Sequence, residues 1–66
     1  MQAMFQVCQR GRELTWIVTL GDTIYGAYID KEQALLDAVD AARDSLEAGC
    51  EAQVWIREQS TVSRVF

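Results

Sequence analysis

One segment of the chain, Asp30 to Gly49, carries a helical period, and the residues on either side of it alternate with a period of two. A chain patterned this way has one helix to lay on one face of a sheet. The pattern therefore predicts an α+β domain with the other face left open. Within the segment, Ala34, Leu35, Ala38, Val39, Ala42 and Leu46 recur at three- and four-residue spacing as an apolar stripe. Asp30 occupies the N-cap position, Gln33 completes a capping-box pattern, and Gly49 supplies a left-handed stop. Small residues dominate the stripe, so the helix is expected to lie close to whatever it covers.

The flanking segments read as strands. Met4 to Arg10 alternates, with Phe5 and Val7 on one side and Gln6, Cys8 and Arg10 on the other, and Gly11-Arg12-Glu13 forms a turn. Leu14 to Leu20 places Leu14, Trp16, Val18 and Leu20 on one face and Thr15, Ile17 and Thr19 on the other, in the β-branched and aromatic types that fit a pleated surface. Gly21-Asp22 is a two-residue hairpin signal. A strand from Thr23 to Ile29 follows, with Gly26 marking a bulge or bend. Beyond the helix, Glu51 to Glu58 alternates, Glu58-Gln59-Ser60-Thr61 turns the chain, and Val62 to Phe66 forms a last strand. The expected architecture is a small antiparallel sheet of three to five strands with one helix packed on one face, in the order β-β-(β)-α-β-β.

Length limits this to a single domain, residues 1–66. The complete lack of histidine removes the commonest general base and the commonest metal ligand. Ser45, Ser60 and Ser63 have no base at a recognisable spacing, and Gly21, Gly26 and Gly49 are too scattered for a phosphate loop. Cys8, beside Arg10, is the sole conceivable nucleophile. No catalytic, cofactor-binding or metal-binding residue is predicted. Met1 to Cys8 lacks the apolar run and cleavage site of a secretory signal, and no stretch reaches the length of a membrane span. With Cys8 and Cys50 read as free thiols, the expected location is the cytoplasm.

The order of a Trp16-Ile17-Val18 strand, a helix opening Ile29-Asp30-Lys31-Glu32-Gln33-Ala34 and an apolar strand Val54-Trp55-Ile56 before a closing hairpin resembles a small uncharacterised bacterial family, domain of unknown function 2188. The resemblance covers about Phe5 to Val62. Two positions depart: that family tends to have His where Arg57 stands, and glycine in the last turn where this chain has Ser60-Thr61. The resemblance implies a small antiparallel sheet with one helix, and it carries no activity.

Asp37, Asp40, Asp44 and Glu47 share one side of the helix. A solvated helix face lacks the concave, partly dry setting that separates the pKa values of a catalytic carboxylate pair. They read as a polar face, with Arg43 set four residues before Glu47 as a weak ion pair. Tyr25 and Tyr28 read as core-edge tyrosines with wet hydroxyls.

Charge is more informative once it is placed on elements. The net charge is −4, and Asp30 to Glu47 holds six acids against two bases, so the whole excess lies on the helix. The rest of the chain balances four acids against Arg10, Arg12, Arg57 and Arg64. The face the helix cannot cover then carries Ile17 and Trp55 beside Arg10, Arg57 and Cys8, which form the candidate interface. A core this small has a stability reason for a partner as well. The expected function is a non-enzymatic interaction module, a homodimer joined through the open sheet face or a sheet edge. The alternative is single-stranded nucleic-acid binding, with Trp55 stacking on bases and Arg10 and Arg57 on phosphates, against which stand a single aromatic and an acidic total. A minor alternative makes the acidic helix a mimic of a phosphate backbone. No cofactor, small-molecule ligand or membrane contact is predicted.

Overall fold

Among the described residues, five strands and one helix follow one another as β1 (Gln2–Gln9), β2 (Trp16–Leu20), β3 (Thr23–Tyr28), α1 (Lys31–Glu47), β4 (Glu51–Glu58) and β5 (Thr61–Arg64). The structure, a computed structural model, describes residues 2–10 and 15–66. Leu14, expected on the inner face, and the turn expected at Gly11-Arg12-Glu13 lie outside the described residues. None of the described helices is long and apolar enough to cross a membrane.

The sheet is mixed rather than antiparallel throughout, and the order across it, β3-β2-β1-β4-β5, is not the order along the chain. β1 to β3 form an antiparallel meander, and β4 and β5 a hairpin, but β4 pairs with β1 in parallel. A parallel neighbour requires a crossover connection, and α1 supplies it by carrying the chain from the β3 edge back to the far side of β1. Period-two patterning defines the faces of each strand but carries no information on strand direction, so the parallel pair was not legible from alternation.

α1 lies on one face and touches β4, β1, β2 and β3 without reaching β5. Phe5, Val7, Val18 and Val54 are buried beneath it. The helix contributes Ala34, Ala38 and Ala42, each 0% exposed. These three are spaced by four, and each such step rotates the contact by about 40° around the axis. Leu46, one step further, has turned away from the sheet and is 45% exposed, against the expectation that it extends the stripe.

Both helix ends are defined by backbone geometry. Asp30 is the N-cap residue in extended conformation, but its side chain makes no capping bond. The expected capping box is absent because the Gln33 amide donates instead to Asp37 Oδ1 at 3.1 Å, one turn along the same face. At the other end the Gly49 N–H donates to the Leu46 carbonyl at 3.0 Å and the Cys50 N–H to the Ser45 carbonyl at 2.9 Å. This pair of bonds is a Schellman motif, and its φ of 88° at Gly49 is a conformation in which a side chain is strained.

The β4–β5 loop, Gln59-Ser60, holds Gln59 at φ 54°, where glycine is favoured. Gln59→Gly is expected to raise stability by about 0.5–1 kcal/mol, the left-handed penalty less the added chain entropy. Thermal unfolding reads this as a rise of several degrees; a lower Tm would show that the turn is not strained.

Lys31 joins the helix start to the sheet. Its Nζ pairs with Glu58 at the end of β4 and lies 5.9 Å from the Trp16 ring centroid. Both charged side chains of the pair are nearly half exposed, which places its worth at about 0–1 kcal/mol. Arg43 and Glu47, expected to pair, are not within salt-bridge distance.

Candidate functional site

The strand registers assemble the uncovered face in rows. Across one row stand Ala27, Ile17, Cys8, Arg57 and Val62, and across the next Ile24, Thr19, Gln6, Trp55 and Arg64. Met4 and Gln53 sit side by side in a third. Arg10 continues β1 beyond its last residue, its N–H donating to the Thr15 carbonyl at 3.0 Å. Four of the five expected interface residues, Trp55, Arg57, Arg10 and Cys8, are therefore solvent-accessible on this face: the arginines are exposed, and Trp55 and Cys8 are half-buried.

Ile17 departs from expectation. It is on the open face but 8% exposed, so it is buried rather than a surface contact. β2 is an interior strand, and Ile17 is hemmed by Cys8 and Ala27 in register and by Thr15 and Thr19 along its own strand. Side chains at these spacings are close enough to shield one another.

The exposed apolar residues of this face are ones the sequence reading passed over: Met4, Ile24 and Val62, exposed by 48%, 58% and 53%. Ile24 reaches it through a bulge. The register shifts between Val18 and Thr19, so Tyr25 is the extra residue and everything before it in β3 changes face. Gly26 was the signal, and the same glycine permits a close approach. A Cβ there would stand 2.6 Å from the Tyr28 hydroxyl, so the phenol can fold over this position only if no side chain is present.

Met4, Gln6, Trp55 and Val62 line a shallow depression of about 250 Å³. The Trp55 indole N–H donates to Gln53 Oε1 at 2.9 Å, which satisfies the polar edge of the ring and ties it along its own strand. The Arg64 Nε donates to the Phe66 carbonyl at 3.0 Å. Arg10, Arg57 and Arg64 share the face with Glu51, which leaves it cationic while the helix layer is anionic.

On the helix side, Asp40, Asp44 and Glu47 are exposed, and no group of three or more Cys, Asp or Glu among the described residues is placed to hold a metal ion. Asp37 is engaged by Gln33 and faces Tyr28. Burial raises the Tyr28 phenol above its ordinary value, and Asp37, as hydrogen-bond partner and as charge, and Tyr25 add to the rise. The folded state then holds this proton more tightly than the unfolded chain. Its contribution is complete below the unfolded value of about 10 and is lost as pH rises through the folded value. Tyr28→Phe is expected to flatten the alkaline decline in urea midpoint above that pH; an unchanged slope would show that another group is responsible.

No family model, curated protein or solved structure matches the chain.

Proposed function

We propose that this chain is a non-enzymatic interaction module that associates with a second copy of itself through its sheet, by the open face or by a sheet edge. The observation that carries this reading is the uncovered face, where Met4, Ile24 and Val62 are exposed around a half-buried Trp55. Apolar groups gathered on a face rimmed by arginines are the composition of an interaction surface. The lack of histidine, and of any arranged base among the described residues, argues against a catalytic role. Sedimentation velocity across the micromolar range is expected to show a concentration-dependent dimer. A folded monomer at every concentration would overturn the proposal.

A second reading follows from the three exposed arginines of this face. A single-stranded nucleic acid would stack on Trp55 and place phosphates on Arg10, Arg57 and Arg64. Titration with a short oligonucleotide at low salt would quench Trp fluorescence, and Trp55→Phe would remove the response. Unchanged fluorescence would exclude this reading.

A further inference from the structure

We infer that two copies of the chain join along β5, antiparallel and about a two-fold axis at Ser63, into one continuous sheet. The inference rests on the proposed self-association and selects the edge over the face.

The phase of the β4–β5 ladder determines what the edge offers. The Val65 N–H donates to the Val54 carbonyl at 2.8 Å, and the register pairs Ile56 with Ser63 and Glu58 with Thr61. In an antiparallel ladder, bonded and non-bonded pairs alternate. Thr61 and Ser63 therefore turn their main-chain groups toward β4, and Val62 and Arg64 turn theirs to the free edge. A two-fold axis at Ser63 sets Val62 of one copy opposite Arg64 of the other. Every outward N–H and C=O of both strands then finds a partner.

Other registers do less. Val62 opposite Val62 leaves the Arg64 groups unpaired, and Arg64 opposite Arg64 sets like charges face to face.

The two edges of the sheet are not equivalent. β3 carries the bulge at Tyr25, a device that twists an edge away from pairing, and the helix packs against it. β5 is regular and exposed along its whole length, without proline, and the helix does not reach it. This matters for charge. Joined at β5, the β4 strands of the two copies stand three strand spacings apart, about 14 Å. That exceeds the screening length of about 8 Å at physiological salt, so the two acidic helices repel little. The axis runs perpendicular to the sheet, so both helices lie on one side and both Trp55 faces on the other.

Ser63→Cys tests the register. Non-bonded antiparallel pairs have Cα atoms about 4.5 Å apart, within disulfide range. Oxidation is expected to give a covalent dimer linked at position 63, identified by the mass of the joined peptides. Arg64→Cys places the thiols on a diagonal of about 7–8 Å, and no link at position 64 is expected. Val62→Pro removes an outward N–H without touching the β4 ladder, so the variant is expected to keep its circular dichroism spectrum and lose the dimer. If the natural chain is monomeric throughout, both the self-association and this geometry fall. If it dimerises while Ser63→Cys does not link and Val62→Pro still dimerises, the edge geometry falls and association through the open face stands.

Discussion

Phe5→Ala is expected to leave the chain without a folded state at 25 °C. Phe5 is 2% exposed on β1, the central strand, and its ring meets Tyr25 edge-on, with centroids 5.6 Å apart and planes at 86°. Truncating a buried phenylalanine costs about 3–5 kcal/mol, from the lost transfer energy and the cavity left behind. A core of this size supplies about 3–5 kcal/mol in total, so the single change removes most or all of it. Far-ultraviolet circular dichroism without denaturant would show a disordered chain. Leu36→Ala, at a position 56% exposed, is the matched control and is expected to leave the transition nearly where it was. If Phe5→Ala still melts cooperatively within a few degrees of the natural chain, Phe5 is not central to the core.

Ala38→Leu is the second large effect, and its direction runs against helix propensity. Ala38 lies midway between Ala34 and Ala42 in the line along which the helix rests on the sheet, and all three are 0% exposed. A leucine has nowhere to go without lifting the helix from Val7, Val18 and Val54, and overpacking of this kind costs about 1–3 kcal/mol. Leucine is nearly as good a helix former as alanine, and glycine is worse by about 1 kcal/mol. At the lower end of that range the two substitutions would tie. With the site fully enclosed and flanked by equally buried alanines, the upper end applies, and Ala38→Leu is expected to melt below Ala38→Gly. The reverse order would mean that the helix–sheet spacing can relax.

These two positions show where the sequence was informative. The alanine stripe and the alternation of β1, β2 and β4 identified the helix, the strands and their inner faces, because burial on one face writes a period into the chain. Strand direction leaves no such period, so the parallel β1–β4 pair appears only in the structure. The capping box failed for a related reason: a pattern of residue types cannot tell whether Gln33 turns back to Asp30 or forward to Asp37.

The candidate site was legible in part. Alternation put Trp55, Arg57, Arg10 and Cys8 on the open face, where they stand. It also put Ile17 there and took the position for exposure, although an interior strand can bury a residue on either face. Ile24 was hidden by the bulge at Tyr25, which reverses the alternation ahead of it. Val62 and Arg64 became part of the site once β5 was paired to β4 in register.

The separation of charge between layers survives the change from sequence to structure. The acidic excess lies on the helix segment, whose outer side carries Asp40, Asp44 and Glu47, and Arg10, Arg57 and Arg64 lie on the opposite side of the sheet with Trp55. A second copy meeting the sheet layer avoids the anionic helix, and the same polarity would orient any anionic partner.

Nuclear magnetic resonance shifts followed on dilution from millimolar to micromolar concentration test the central claim directly, because they locate the contact without altering the chain. Concentration-dependent changes are predicted at the Val62 and Arg64 amides of the β5 edge, with Leu36, Asp40, Asp44 and Glu47 unmoved. Changes centred on the outer side of the helix, or none at any position, would contradict the account.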